Sequence, residues 1–173
     1  RKWQTEYYIG HALPFAELIN NTLTFENANA FIYWGGVWSG NKKTFETNDM
    51  TNVAWGGRWE RKAKYYTMRH FSEYIRPGYI RVKAMSGSPA LKTSAYKSPD
   101  GKTVALVLIN TSKEIQGVSF ADCGFKAKSM SAYESVFGDV AEDEAACWIN
   151  RGELKPNAKI ALYPKSVMTV ILK

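Results

Sequence analysis

The sequence is poor in the residues that disulfide frameworks and metal sites require. Its 173 residues contain two cysteines and two histidines. Two cysteines do not make a framework, so Cys123 and Cys147 are interpreted either as one optional disulfide or as two buried thiols. His11 and His70 lie far apart and lack the spacing of paired ligands. The sequence therefore predicts no metal site.

Long apolar runs and clustered charge are missing as well. No apolar run approaches the roughly 18 residues of a membrane helix, so no membrane partner is expected. No initiator methionine or signal peptide precedes Arg1, which indicates a chain that starts inside a larger protein. The net charge of +7 is spread evenly along the chain. Nucleic-acid binders concentrate basic residues on one face or arm, so no nucleic-acid partner is expected.

Aromatic residues, by contrast, are abundant. They make up 14% of the chain, with six tryptophans and ten tyrosines. Several of these rings must be buried, because tryptophan is costly to expose. The surplus falls in loops, which favours a surface that stacks on flat ligands. Sugars and bases are the two candidates, and the even charge favours sugars.

The chain changes character near residue 77. Before that point, apolar runs and helical periodicity alternate, which is typical of parallel β/α units. The predicted strands and helices, with one long Gly/Asn/Trp-rich loop between them, are strand 2–8, helix 11–23, strand 29–34, loop 35–60 and helix 61–75.

After Pro77 the pattern becomes that of a β-protein. Short β-like runs are separated by turn residues, and residues 98–102 (Ser-Pro-Asp-Gly-Lys) predict a tight hairpin turn. This pattern predicts an antiparallel β-sandwich over residues 77–173. The predicted strands are 79–85, 91–96, 103–110, 117–120, 129–136, 159–162 and 166–172.

Two β/α units cannot close a sheet by themselves. A full (β/α)8 TIM barrel takes about 250 residues. Residues 1–76 are therefore predicted to be the C-terminal end of such a barrel, its last two β/α units, with the earlier units outside this chain. The predicted fold class is α/β plus all-β, a partial barrel followed by a sandwich.

Glu6 is the candidate catalytic residue. It lies at the C-terminal end of the first predicted strand, beside Trp3, Tyr7 and Tyr8. Catalytic groups of β/α barrels project from that end of the strands. A carboxylate among aromatic rings is what retaining glycoside hydrolysis needs, because it can attack the anomeric carbon while the rings stack on the sugar. A surface glutamate at a strand end is the alternative.

The long loop contains a second concentration of aromatic residues. Trp34-Gly35-Gly36-Val37-Trp38 is echoed by Trp55-Gly56-Gly57-Arg58-Trp59. Glycine pairs let the backbone bend closely around the rings. The four tryptophans are interpreted either as sugar contacts or as a packed apolar cluster under the loop. Trp34, which ends the second predicted strand, is the expected sugar contact.

Five segments, which follow one another along the chain in the family's order, resemble glycoside hydrolase family 30. That family includes xylanases, glucosylceramidases and β-1,6-glucanases. Residues 2–8 resemble the nucleophile strand, and residues 29–34 resemble the last barrel strand. Residues 71–78 resemble the junction between the last helix and the side β-domain. Residues 94–110 resemble the first hairpin of that domain, and residues 164–169 resemble its closing strand.

The resemblance implies a retaining mechanism with two glutamates. Glu6 matches the nucleophile, and the acid/base glutamate would lie upstream of this chain. Tyr8 and Trp34 match positions that line the subsite near the scissile bond, and Trp3 and Trp38 are included as substrate contacts. Residues 35–40 lack the Arg-rich stretch of the glucuronoxylanases. This departure argues against glucuronate-dependent specificity, and a different subfamily, including xylanases that do not depend on glucuronate, is at least as good a match.

These inferences predict a retaining endo-type hydrolase of a β-linked plant polysaccharide, with xylan as the expected substrate. It would be secreted or periplasmic and would need no cofactor. Its partner would be the upstream barrel segment of the same enzyme, without which this chain is expected to be inactive. The alternative is a non-catalytic carbohydrate-binding or structural β-sandwich module. Its candidate aromatic residues are Tyr96, Tyr133, Trp148 and Tyr163.

Overall fold

The computed structural model describes residues 12–39, 50–53, 57, 59–120, 124–137 and 148–173. These residues form two helices, α1 (Ala12–Thr24) and α2 (Ala63–Ser72). Neither helix is long and apolar enough to cross a bilayer. The strands among these residues are β1 (Val37–Ser39), β2 (Thr51–Val53), β3 (Trp59–Arg61), β4 (Ile80–Val82), β5 (Leu91–Lys97), β6 (Val104–Asn110), β7 (Gln116–Val118), β8 (Met130–Val136), β9 (Ile149–Leu154), β10 (Ile160–Leu162) and β11 (Ser166–Leu172).

A six-stranded antiparallel sheet is the centre of the fold. Its strand order is β4-β5-β6-β11-β8-β9. The central strands β6 and β11 pair over their full length, from Val104 opposite Leu172 to Asn110 opposite Ser166. All seven residues of each are buried. A strand that is buried on both faces requires cover on both sides of the sheet, and the structure supplies two different covers.

A two-stranded ribbon covers one face of the sheet. Strands β7 and β10 pair antiparallel, and Ile160 and Leu162 of β10 enter the apolar core. Their neighbours in the sheet include Leu108 of β6 and Met168 of β11. Successive side chains of a strand point to opposite faces. The even-numbered residues of both central strands therefore face the ribbon.

The two helices cover the other face. Ala12, Phe15, Ala16 and Ile19 are buried along α1. Their spacing of three and four residues places them on one side of the helix. Together with residues of α2 they pack against Val107 and Ile109 of β6 and Val167 of β11. The odd-numbered residues of the central strands thus face the helices.

Both predicted helices and all seven predicted strands beyond residue 77 are confirmed, some with shorter ends. The predicted hairpin turn is confirmed as well. Asp100 Oδ1 accepts hydrogen bonds from Ser98 Oγ (2.6 Å) and from the Lys102 backbone N–H (3.0 Å). Gly101 adopts φ +72°, a value that L-residues with side chains rarely adopt.

Three features differ from the sequence prediction. The prediction of a strand at 29–34 was wrong, because these residues form irregular backbone in the structure. The loop predicted at 35–60 contains the small sheet β1-β2-β3, with β1 and β2 parallel and β3 antiparallel to β2. Strand β9 was not predicted. The observed class is mixed α/β with an antiparallel sheet, while the barrel, the sandwich and the boundary at 76/77 stay predictions.

Candidate carbohydrate-binding site

The predicted catalytic end of the chain lies largely outside the described residues. This applies to Glu6, Tyr8 and Trp3, and also to His11, Cys123 and Cys147. Trp38 is described only by its backbone, which lies in β1. Trp34 is the one predicted substrate contact whose side chain the structure describes. The candidate site is therefore built from Trp34 and the elements around it.

Trp34 is presented at the surface by its neighbours in sequence. Phe31 and Tyr33 turn inward and pack edge-on against Phe15 of α1, with ring centroids 5.9 Å and 4.9 Å from it. Ile32 and Trp34 point the other way and are 91% and 72% exposed. Side chains therefore alternate as they do in a strand, although the backbone is irregular. The inward rings fix the segment and hold Trp34 outward.

Hydrogen bonds tie the segment after Trp34 to the small sheet. The backbone carbonyls of Gly35 and Gly36 accept from the N–H groups of Met50 (2.8 Å) and Thr51 (3.0 Å). The Lys62 N–H donates to the Met50 carbonyl (2.9 Å), which connects the sheet to the start of α2. The exposed Trp34 therefore lies next to a hydrogen-bonded framework.

A second exposed tryptophan lies on this framework. Trp59 is 58% exposed. Trp59 and Arg61 are two residues apart on β3, so their side chains share one face of the small sheet. The Arg61 guanidinium carbon lies 4.8 Å from the centroid of the Trp59 ring and 4.8 Å from that of Tyr65 in α2. A cation thus joins the exposed ring of the sheet to a ring of the helix.

Lys64 fixes the start of α2 against the same segment. It is almost fully buried. Its Nζ lies 3.5 Å from the Tyr33 hydroxyl, to which it donates, and 5.7 Å from the centroid of the Tyr33 ring. A buried ammonium group is stable only where polar or aromatic groups replace its water. Lys64 therefore links α2 to the residue that precedes Trp34.

His70 is fully buried between α2 and the sheet. Its Nδ1 lies 2.8 Å from Thr169 Oγ1 and its Nε2 lies 2.9 Å from Ser135 Oγ. Thr169 Oγ1 donates its only proton to the His70 carbonyl (3.0 Å). Because that hydroxyl can then only accept from the ring, the proton of the neutral imidazole is on Nδ1 and Ser135 donates to Nε2.

Burial lowers the pKa of His70 to about 3, and the nearby Arg69 charge adds to this effect. The imidazole is therefore neutral at ordinary pH. One flank of the ring is closed by Trp148, whose centroid lies 4.8 Å away. A neutral histidine with both nitrogens engaged and no solvent access is a structural group that attaches α2 to strands β8 and β11.

Glu134 is a second buried titratable group. Its Oε1 accepts from the Tyr163 backbone N–H (2.8 Å). Arg151 Nη1 lies 3.1 Å from Oε2 as an ion pair that is not aligned as a hydrogen bond. Burial raises the pKa of this carboxyl. Because Glu134 lies in the interior of the sheet region, we assign it to folding and not to the candidate site.

No group of three or more His, Cys, Asp or Glu side chains in the described ranges could hold a metal ion. What the described residues of this surface bring together is a cation and aromatic rings, Arg61 with Trp59 and Tyr65. Sequence reasoning had included Trp59 among the loop tryptophans but had missed Arg61 and Tyr65. The signal for them was available, because the spacing Trp59-x-Arg61 fits one strand face and Arg61 and Tyr65 are four residues apart at a helix start.

No model of a known protein family matches this sequence. Solved structures resemble its fold. The catalytic domain of a family 30 xylanase C from Talaromyces cellulolyticus has a TM-score of 0.77 at 21% identity, over 94% of this chain and 35% of its own. The fold is that of the C-terminal portion of family 30 glycoside hydrolases. A conserved exported protein from Bacteroides fragilis has a TM-score of 0.70 at 24% identity, over 97% of this chain and 34% of its own.

The same fold extends to another glycosidase family. An arabinose-bound α-L-arabinofuranosidase of family 51 has a TM-score of 0.73 at 12% identity, over 93% of this chain and 27% of its own. The chain thus spans about a third of the length of these structures. A fold shared by enzymes with different substrates does not by itself determine the substrate.

Proposed function

We propose that this chain is the C-terminal part of a retaining endo-type glycoside hydrolase that acts on a β-linked plant polysaccharide, with xylan as the substrate. The observation that carries the proposal is the fold likeness to a family 30 xylanase catalytic domain over 94% of the chain. The motif at residues 2–8 points to the same enzyme class from sequence.

In the proposed mechanism, Glu6 is the nucleophile. It attacks the anomeric carbon and forms a glycosyl-enzyme intermediate. The acid/base glutamate belongs to the upstream barrel, about 5–5.5 Å from Glu6 in a retaining enzyme. It protonates the leaving oxygen and then activates the water that releases the sugar. No metal or organic cofactor takes part in these steps.

Aromatic residues supply the substrate contacts in this proposal. Trp34 is the described member of the set, and its 72% exposure supports a role in stacking. Tyr8, Trp3 and Trp38 are assigned to the same surface from their sequence positions. Rings in such positions orient the sugar so that the reacting carbon lies near the carboxylate.

The proposal requires the upstream barrel segment as the partner of this chain. Without it, the acid/base group is missing, so the 173-residue chain alone should not turn over xylan or aryl β-glycosides. Because polysaccharides are too large to enter cells, we place the enzyme outside the cytoplasm. The likeness to an exported protein of Bacteroides fragilis supports this location.

The proposal is tested by Glu6→Ala in the enzyme with its upstream part present. We expect xylan hydrolysis to fall by about 10³-fold or more, as in other mechanisms that lose a nucleophile. Azide should restore turnover of an activated aryl xyloside and give a glycosyl azide of inverted configuration, because a small anion can occupy the vacated space. Glu26→Ala, at an exposed glutamate, is the matched control and should retain full activity.

The alternative is a non-catalytic role of residues 79–173 in binding sugar or in supporting the barrel. Most aromatic residues of this part are used internally. Tyr96 is buried, and Tyr133 and Trp148 stack on each other at 5.5 Å. Tyr163 is 40% exposed, with Arg151 over its ring. These contacts favour the supporting role, which predicts that Tyr163→Ala leaves xylan binding by the full chain unchanged.

A further inference from the structure

The small sheet β1-β2-β3 carries an exposed ring that is held in place by a cation. Arg61 lies over the Trp59 ring at 4.8 Å and over the Tyr65 ring at the same distance. A planar guanidinium stacks well on aromatic faces, in contrast to the compact ammonium of lysine. Trp59 is nevertheless 58% exposed. Its solvent-accessible area therefore lies mainly on the ring face and edges that Arg61 does not cover.

The position of this ring is well defined by its surroundings. Trp59 pairs with Val53, and Arg61 pairs with Thr51, which in turn pairs with Val37. Tyr65 lies in the first turn of α2, whose neighbouring residue Lys64 is buried. The contact from Arg61 to Tyr65 therefore connects the exposed indole to a packed helix.

We propose that Trp59 is a stacking subsite for a neutral β-linked pyranose chain, and that Arg61 is the positioning residue that orients it. The inference rests on the proposed function for its ligand class. One face of a pyranose carries C–H groups that pack on an aromatic ring while its hydroxyls stay in water. A flat ring that is fixed before binding loses little conformational entropy when the sugar arrives.

The role of the Arg61 cation in this arrangement is to orient the Trp59 ring. Because its two cation–π contacts are with rings of the protein, it restricts the tilt of Trp59 without having to touch the sugar. Replacing Arg61 by methionine keeps an unbranched stem of similar length and removes the planar cation. Replacing it by lysine keeps the charge but not the planar stack.

The experiment uses the 173-residue chain with fluorinated tryptophan and follows its six tryptophans by fluorine NMR during titration with xylohexaose. Single Trp→Phe variants assign the signals. We expect the Trp59 signal to shift in a saturable way. A Trp59 signal that does not move while the Trp34 signal does would overturn the inference and leave the proposed function intact. If no signal moves, the subsite is also rejected, and the proposed function is decided separately by the Glu6 variants.

Variants then separate stacking from positioning. Trp59→Ala should weaken xylohexaose binding about 10-fold. Arg61→Met should weaken it by at most about two- to five-fold, because the order that Arg61 imposes on the ring cannot exceed the worth of an exposed cation–π contact, and should broaden the Trp59 signal of the free chain. Arg61→Lys should recover part of the affinity. Phe25→Ala, at a ring that is 91% exposed elsewhere, is the control and should bind normally. Equal affinities of Arg61→Met and the unchanged chain would rule out the positioning role.

Discussion

The six-stranded sheet and the described residues between 28 and 62 differ in how many large side chains they expose. In the sheet, β6 and β11 bury all seven of their residues between a ribbon and two helices. Among the residues between 28 and 62, Ile32, Trp34 and Trp59 are more than half exposed. Burial of apolar side chains stabilises a fold, so the sheet accounts for stability. Exposed rings fixed by their neighbours contribute less to stability and keep part of their surface in contact with solvent.

The largest expected difference concerns two isoleucines. Ile109 of β6 is fully buried and Ile32 is 91% exposed. Ile109→Ala removes buried methyl groups and leaves a cavity, and should lower the free energy of unfolding by about 2–5 kcal/mol. Ile32→Ala should change it by less than about 0.5 kcal/mol. Urea denaturation of the two variants makes the comparison, and similar losses would contradict it.

Two ion pairs extend the same contrast. Arg151 pairs with the fully buried Glu134, whereas Arg69 pairs with Glu73 on the surface of α2. Arg151→Met leaves a buried carboxylate without its cation and should cost about 3 kcal/mol. Glu73→Gln should cost less than about 1 kcal/mol, because surface pairs are weak. Thermal unfolding at pH 7 measures both, and a larger loss for Glu73→Gln would reverse our assignment of the two pairs.

His70 should make the stability of the sheet region depend on pH. Its pKa is about 3 in the folded chain and ordinarily 6.5, so the unfolded chain binds the proton more readily. The contribution of neutral His70 to the free energy of unfolding is fully present above pH 6.5. It is lost as the pH falls toward 3, by about 1.4 kcal/mol per pH unit.

The variant His70→Gln isolates this effect. It should cost about 1–3 kcal/mol at pH 7, because hydroxyls of Thr169 and Ser135 lose a well-placed partner. The difference in the free energy of unfolding between this variant and the unchanged chain should shrink as the pH falls from 6.5. Glu134 has a raised pKa, which acts in the opposite direction, but it is present in both proteins and cancels in the difference. Parallel pH profiles would mean that His70 is not the titrating group.

The smallest stability effect is expected at Trp34. Trp34→Ala should change the free energy of unfolding by less than about 0.5 kcal/mol, because the ring is 72% exposed. The same change should weaken xylan binding about 10-fold if Trp34 contacts the sugar. Calorimetric unfolding and a binding titration on one sample separate the two effects. A large loss of stability with unchanged binding would make Trp34 a packing residue.

The sheet was predictable because its signals are local. The turn at residues 98–102 and the apolar run of β11 each specify their own structure. Strand β9 escaped prediction because Asn150, Arg151 and Glu153 interrupt its apolar pattern, and its pairing with β8 includes a register shift between Ser131 and Tyr133. Its place depends on tertiary contacts, such as the ion pair to Glu134, that no local pattern reveals.

The candidate site was only partly predictable. The exposed position of Trp34 followed from the sequence, but the strand expected at 29–34 did not form. A strand requires hydrogen-bonded neighbours, whereas an apolar pattern records only which side chains face inward. Phe31 and Tyr33 do face inward, but Ile32 is 91% exposed, so a continuous apolar run was a poor guide both to backbone pairing and to burial on two faces. The contact of Arg61 with two rings depends on how the loop folds onto α2, which spacing alone could not show.

The proposed role of Glu6 is tested most directly by covalent labelling. The enzyme with its upstream part present would be treated with an activated 2-deoxy-2-fluoro-xyloside, whose glycosyl-enzyme intermediate forms faster than it hydrolyses. Mass spectrometry of the digested protein should find one fluorosugar on the peptide that contains Glu6, and Glu6→Gln should abolish the label while Glu26→Gln retains it. A label on another carboxylate would contradict the account.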